Sequence, residues 1–208
     1  MINIQIYPVT MLETNCCYIV DEATGLAAVS DPGERSPELE AQIEKDGGRL
    51  EYVLLTHGHY DHICYAKQTA DKYGAKIVTG KHNAEFLRDR RLNRTLVHGI
   101  PFEPFEADLL LEDGETFSLG KTEITYLYTP GHTAGCGVFL LDGVMLAGDL
   151  IFRGSYGRTD LPTGDDYQIM ASLKRMKELD GDYQIIPGHG PLTALSFERK
   201  YNPLMRRL

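Results

Sequence analysis

Ile2, Ile4 and Ile6 alternate with polar residues, the period-two pattern of a half-buried strand. Further strands are predicted over Cys16 to Val20 and Leu26 to Ser30, separated by a turn at Gly25. Ser36 followed by Pro37 has the form of an N-cap with proline at the first helical position. The helix it opens should run to about Lys45 and stop at Gly47-Gly48. The short apolar run Tyr52 to Leu55 then ends abruptly in Thr56-His57-Gly58-His59. A helix from about Cys64 to Tyr73, stopped by Gly74, and a strand over Lys76 to Thr79 follow. Arg88 to Glu106 has weak periodicity and carries Pro101 and Pro104, so it reads as a loop-rich insertion.

The second half repeats this style. Leu109 to Leu111, Glu115 to Leu119 and Glu123 to Tyr128 are predicted strands joined at Asp113-Gly114 and Gly120-Lys121. Cys136 to Leu141 and Val144 to Ala147 form a hairpin around Asp142-Gly143. Asp166 to Leu179 is an amphipathic helix, Gln184 to Ile186 a last strand, and Ser196 to Asn202 a closing helix. Runs of strands punctuated by helices predict an α/β chain with two sheets and helices outside them. No stretch is long or polar enough to be a linker, so residues 1–208 read as a single domain.

Charge and cysteine content narrow the setting. The formal net charge of -9 repels phosphate backbones and argues against nucleic-acid partners. The N-terminal stretch lacks a basic region followed by an apolar one, and no apolar run approaches a bilayer span, so neither secretion nor membrane insertion is expected. Cys16, Cys17, Cys64 and Cys136 form no C-x-x-C pair, which predicts a reduced, cytoplasmic protein.

Five of the seven histidines stand at strand ends next to glycine or close to it: His57, His59, His62, His132 and His189. The segment Thr56 to His62 reads T-H-G-H-Y-D-H and packs His57, His59, Asp61 and His62 directly after a hydrophobic strand. Extended backbone sends His57 and His59 the same way, and a turn into helix lets Asp61 and His62 address a second position nearby. His132 in T-P-G-H-T, Asp149 in A-G-D and His189 in P-G-H-G each follow another strand. The set divides into His57, His59 and His132 on one side and Asp61, His62 and His189 on the other. Asp149 stands between them, since its two oxygens can face both. A lone histidine at a strand end is ordinarily a surface or capping residue, but seven such groups converging need a cation between them. His82 and His98 lack this context and read as structural or exposed. Cys64 and Cys136, near the histidine motifs, read as small packing residues rather than nucleophiles.

T-H-G-H-Y-D-H, P-G-H-T, G-D and P-G-H-G, in that order over nearly the whole chain, resemble the metallo-β-lactamase superfamily. The resemblance implies a four-layer αββα sandwich with two divalent ions at the edge of its sheets, zinc foremost, iron or manganese as alternatives. Asp149 departs from the lactamase subclass that places cysteine there. The segment F-R-G-S-Y-G-R-T-D-L-P-T-G (Phe152 to Gly164) and the late E-R-K-Y-N-P (Glu198 to Pro203) are similar to short glyoxalase II-like hydrolases and to persulfide dioxygenases. This likeness makes Arg158, standing where glyoxalase II carries a lysine, and Tyr156 the expected substrate contacts. The other reading of Arg158 is a brace paired with Asp160. Full-length glyoxalase II continues into a C-terminal helical domain, and none is expected within these 208 residues.

The function implied is hydrolysis of a thioester, S-lactoylglutathione or a similar acyl thiol, by a metal-bound hydroxide that Asp61 orients. The alternative is oxygenation of a persulfide by a single iron held by His57, His132 and Asp149. A lactonase and a non-catalytic metal-binding domain rank lower. The expected partner is the small-molecule substrate, and the expected assembly a monomer or small homo-oligomer.

Overall fold

A computed structural model describes residues 1–208. In chain order the first half comprises β1 (Ile2–Val9), β2 (Thr14–Asp21), β3 (Ala27–Ser30), α1 (Pro37–Lys45), β4 (Leu50–Leu55), α2 (Tyr60–Ile63), α3 (Ala66–Tyr73), β5 (Lys76–Gly80) and β6 (Leu109–Leu111). The second comprises β7 (Thr116–Leu119), β8 (Thr122–Tyr128), β9 (Gly137–Leu141), β10 (Val144–Gly148), β11 (Ile151–Phe152), β12 (Ser155–Tyr156), α4 (Asp166–Glu178), β13 (Gln184–Pro187), β14 (Thr193–Ala194) and α5 (Leu195–Tyr201). The first half makes a sheet in the order β1-β2-β3-β4-β5-β6, and the second a sheet in the order β14-β13-β10-β9-β8-β7.

Three packed layers of side chains explain the architecture. Cys17, Ile19, Leu54 and Val78 of the first sheet face Ile124, Tyr126, Phe139 and Leu146 of the second, forming the core between the sheets. The alternate positions Cys16, Tyr18, Val53 and Leu55 turn outward onto Leu39 and Ile43 of α1 and Ala66 and Ala70 of α3. Leu127, Val138, Leu140 and Met145 turn outward from the second sheet onto Ile169, Leu173 and Met176 of α4 and Leu195 of α5. Each sheet is thus apolar on both faces, and helices must cover what the other sheet does not: an αββα sandwich. Truncating one of these fully buried leucines to alanine removes about 2–5 kcal/mol.

The caps follow the local chemistry. The Ser36 hydroxyl accepts the Leu39 N–H at 3.2 Å at the start of α1, and Asp165 accepts the Gln168 N–H at 2.9 Å at the start of α4. The helix expected from Cys64 is two pieces. Tyr60–Ile63 already turns as helix, and the chain breaks at Tyr65, whose N–H is taken by the Pro32 carbonyl at 3.0 Å, before Ala66 begins the second piece.

One connection differs from its sequence reading. The tight turn at Asp113-Gly114 does not join neighbouring strands: β6 pairs in parallel with β5, Val78 opposite Leu109, while β7 pairs with β8 in the other sheet. Two extended segments around Asp-Gly read as a hairpin, but Leu111 is claimed by the layer between the sheets, so the turn carries the chain from one sheet to the other. The insertion expected over Arg88 to Glu106 has neither helix nor strand, yet it is pinned. Asn93 is fully buried; its side chain donates to the Phe86 carbonyl at 2.9 Å and accepts from the N–H and hydroxyl of Thr95 at 3.0 and 2.7 Å.

Candidate metal centre

The strand β4 ends at Leu55, and the next seven residues swing across the edge of both sheets. His57 and His59 leave this segment on the same side, and the first turn of α2 carries Asp61 and His62. His132 arrives from the loop after β8, Asp149 from the end of β10, and His189 from the loop after β13. His57 Nε2 lies 3.1 Å from His59 Nδ1, which lies 2.9 Å from His132 Nε2. His62 Nε2 lies 3.4 Å from His189 Nε2. The Oδ2 atom of Asp61 is 3.5 Å from His62 Nε2 and 3.2 Å from His189 Nε2. Asp149 spans the two groups, with Oδ2 3.4 Å from His132 Nε2 and Oδ1 3.5 and 3.6 Å from His62 and His189. All seven groups singled out in the sequence therefore meet in one place, in three overlapping groups: His57, His59 and His132; His57, His62 and Asp149; Asp61, His62 and His189.

Hydrogen bonds on the far side of the rings fix which nitrogen faces inward. His132 Nδ1 donates to the Arg158 carbonyl at 2.7 Å, and His189 Nδ1 to the Leu12 carbonyl at 2.9 Å. His62 Nδ1 lies 3.1 Å from Asp31 Oδ2. A neutral imidazole has one donor and one acceptor nitrogen, so in His132 and His189 the inward nitrogen presents a lone pair. An inward-turned pair such as His62 Nε2 and His189 Nε2, 3.4 Å apart, suits a shared cation. The Oδ1 atom of Asp149 is buried with no hydrogen-bond donor on it, the same need expressed by a carboxylate. Ligand bonds of about 2.0–2.1 Å in a tetrahedral site place ligand atoms about 3.3–3.4 Å apart, close to the separations here. The residues fit divalent metal ions. Imidazole and carboxylate groups suit zinc, iron or manganese alike.

The electrostatics of the bare protein reflect the same crowding. Burial, then the neighbouring imidazoles, hold His57 well below its ordinary value. Burial and His132 bring His59 down to about 3. Burial alone would lower His62, but the Asp61 and Asp31 carboxylates outweigh it and raise it to about 10. Burial would raise Asp61, and the His62 and His189 imidazoles outweigh that, leaving it below the carboxylate range. The Cys64 and Cys136 thiols are pushed up to about 12 by burial, so neither offers a thiolate at neutral pH.

Several residues of the site escaped the sequence reading. Asp31 stands under the cluster: its carboxylate accepts the Thr56 N–H at 2.9 Å and the Thr56 hydroxyl at 2.7 Å. Thr14 donates its hydroxyl to Asp61 Oδ2 at 3.2 Å. The available signal for Asp31 was its position in Ser30-Asp31-Pro32-Gly33, a strand end like those of the histidines. Arg158 brings its carbonyl to His132, but its guanidinium forms a two-point pair with Asp160, 2.6 Å on each side. Tyr156 is 40% exposed on β12. His82 stacks on Tyr128 and His98 rests near Tyr60; both are exposed and neither joins the cluster. A groove of about 680 Å³ opens beside the site, walled by Thr10, Met11, Leu12, Tyr60, His98 and Ile100 among others.

Known proteins resemble this chain over nearly its whole length. A hydroxyacylglutathione hydrolase, GloC of Haemophilus influenzae, is 34% identical over 208 residues, covering 98% of each chain. The solved structure of the BLEG-1 B3 metallo-β-lactamase superposes with a TM-score of 0.89 at 28% identity, covering 99% of each. That of TTHA1623 in a di-iron-bound form gives 0.82 at 28% identity, over 96% of this chain and 98% of the other. The family model for the metallo-β-lactamase superfamily matches residues 10–189. That span opens at Thr10, whose hydroxyl meets Thr14 beneath Asp61, and closes on His189, the last of the seven inward-facing groups: the chain belongs to the metallo-β-lactamase superfamily.

Proposed function

We propose that the protein is a metal-dependent thioester hydrolase acting on S-lactoylglutathione or a similar acyl thiol. The observation that carries this reading is Asp149, with one oxygen turned to each histidine cluster, so that one carboxylate could serve both groups of residues that would hold divalent ions. His57, His59 and His132 would hold one ion, Asp61, His62 and His189 the other. The full-length likeness to a hydroxyacylglutathione hydrolase supports the same substrate class. When held by these residues, divalent ions would supply the acidity that lets water attack near neutral pH and a counter-charge for a carbonyl oxygen.

The protein's own groups do the rest. Asp61 stays ionised, fixed by the Thr14 hydroxyl, and can accept a hydrogen bond that aims the attacking water. Leu12, Arg158 and Asp31 hold the far nitrogens of His189, His132 and His62, so the inward faces keep their direction through the reaction. Water adds to the carbonyl carbon and the C–S bond breaks. The products are a carboxylate, a thiol and one released proton. A thiolate leaves without strong assistance at neutral pH, so the site needs no separate general acid.

The test is thiol release from S-D-lactoylglutathione by protein loaded with zinc, manganese or iron, beside His57→Ala. Turnover that disappears in the variant together with bound metal supports the reading. Oxygen uptake with a persulfide substrate, in place of thiol release, would replace hydrolysis with oxygenation.

A further inference from the structure

The turn between β1 and β2 is strained at both ends. Thr10 has φ +65° and Glu13 φ +54°, left-handed conformations that a β-branched threonine in particular takes at a cost. The turn is nonetheless fixed. The Thr10 hydroxyl accepts the Leu12 N–H at 3.1 Å, the Thr10 carbonyl accepts the Glu13 N–H at 3.2 Å, and the Leu12 carbonyl accepts from His189 Nδ1 at 2.9 Å. What this turn presents is two apolar side chains that the rest of the chain leaves uncovered: Met11 is 99% exposed and Leu12 52%. A strained backbone that holds adjacent apolar side chains in water calls for a reason.

Met11 and Leu12 line the groove of about 680 Å³ beside the metal centre, together with Tyr60 and Ile100. The last two are held as firmly: the Tyr60 N–H donates to the Asn93 carbonyl and the Ile100 N–H to the Thr95 carbonyl, each at 2.9 Å. The groove is continuous with the inward-facing groups. Leu12 is bonded to His189, and Tyr60 is the residue between His59 and Asp61. Gly33, also in the lining, lies so close to Asp61 that a Cβ there would sit 1.5 Å from the Asp61 carbonyl oxygen. A group bound at the metal centre therefore has this groove at its side.

The chemistry of the groove is one-sided. Glu34 and Arg35 are the only Asp, Glu, Lys or Arg residues lining it. The Arg35 guanidinium is matched by Glu40, Nε to Oε1 at 3.2 Å and Nη2 to Oε2 at 2.9 Å, and the Tyr65 hydroxyl donates to the same carboxylate at 3.1 Å. No free cation is left for an anionic group, and Glu34 repels one, so a charged thiol half such as glutathione does not suit this space. Aliphatic and aromatic walls suit an uncharged chain, and the volume falls within the range of small-molecule pockets, about 300–1,000 Å³.

We propose that the groove binds the acyl half of the substrate and selects an apolar chain. The proposal rests on the thioester-hydrolase reading and deepens it: among acyl thiols it favours esters of medium-length fatty acids over the hydroxylated lactoyl group. The unbranched thioether of Met11 follows chains of different shape, and the pinned turn brings it to them without further ordering.

The experiment measures kcat/KM on metal-loaded full-length protein for the glutathione thioesters of acetic, butanoic, hexanoic and octanoic acid. The value should rise by about twofold to fourfold per added methylene. Met11→Asp, at a position too exposed to disturb folding, should flatten that rise, and Met11→Leu should keep most of it. A second series lengthens the other half, as lactoyl thioesters of ethanethiol, butanethiol and hexanethiol. A flat acyl series, an equal or steeper rise in the thiol series, or a full rise retained in Met11→Asp would each overturn the proposal. If no thioester is cleaved, the hydrolase reading fails separately, and calorimetry with acetate and octanoate decides the groove. Octanoate binding more tightly than acetate, with the difference reduced in Met11→Asp, supports it. Equal binding, or a difference that survives the substitution, overturns it.

Discussion

The Asp31 carboxylate grips Thr56 twice, through the backbone N–H at 2.9 Å and the side-chain hydroxyl at 2.7 Å. The Thr56 hydroxyl in turn lies 3.3 Å from His57 Nδ1, and Asp31 Oδ2 lies 3.1 Å from His62 Nδ1. One buried carboxylate therefore sets the direction of an imidazole in each cluster. Asp31→Asn preserves the side chain's tolerance of φ +48° but removes the charge and one acceptor. Metal affinity should weaken about 10–100-fold, as measured by competition with a chromophoric chelator. Unchanged affinity would show that Thr56 holds its place without Asp31.

Gly188 precedes His189 and has no room for a side chain. A Cβ there would sit 2.1 Å from Asp149 Oδ1 and 2.9 Å from His62 Cε1. Gly188→Ala should therefore displace Asp149 and reduce the metal content found by atomic absorption, although no inward-facing group has been replaced. Far-ultraviolet circular dichroism should stay close to the parent, because the strain falls on side chains at the edge of the sheets. Full metal content in the variant would count against the placement of Asp149 between the two clusters.

Glu198 is fully buried and accepts three donors: the Gly154 N–H at 3.0 Å, the Thr193 hydroxyl at 2.6 Å and the Asn202 side-chain amide at 2.9 Å. Asn202 also donates to the Ser155 carbonyl at 2.9 Å. Together they clamp the β11–β12 hairpin to α5. Glu198→Ala leaves those donors without an acceptor and should destabilise the protein by about 2–4 kcal/mol in urea unfolding. A loss below about 1 kcal/mol, within the range of one ordinary hydrogen bond, would mean that water replaces the carboxylate.

Glu40 carries the acid sensitivity of the α1 face. Hydrogen bonds from Arg35 foremost, with Lys72 and the Tyr65 hydroxyl, hold its carboxyl at about 2 despite partial burial. The folded value lies below the unfolded value near 4.5, so folding favours the charged form. Its contribution is complete above that unfolded value and vanishes as the pH falls through the folded one. Between pH 4.5 and 2, Tm should therefore fall less steeply in Glu40→Gln than in the parent. Parallel Tm profiles would show that the partly exposed Arg35 and Lys72 contribute nothing net.

The candidate centre was legible because its chemistry is written locally. His57, His59, His132 and His189 each follow an apolar strand at a glycine turn, and a period of two decides which way the first pair points. What the sequence hid are relationships between distant segments. Ser30-Asp31-Pro32-Gly33 reads as an ordinary turn until Thr56 is seen above it. The Phe152 and Glu198 segments were both recognised, yet nothing in either shows that Glu198 is the acceptor for Gly154. Asn93 and Thr95 fall in a stretch with no periodicity, where side-chain hydrogen bonds rather than a repeating apolar face determine the conformation. The Asp113-Gly114 turn misleads for the same reason: pairing of β6 depends on β5, remote in sequence, and not on the tight turn that follows.

That passage from one sheet to the other also sets an order of events. His59 and His132 are 73 positions apart, and His62 and His189 127, so neither cluster exists until both sheets have formed and met. During synthesis the early T-H-G-H-Y-D-H segment emerges with no complementary half to receive an ion. Loading with metal thus reports that the last strand has docked, and a chain stalled before that point lacks the full complement of groups. An ion that needs all seven groups would therefore be held only after the two sheets have met.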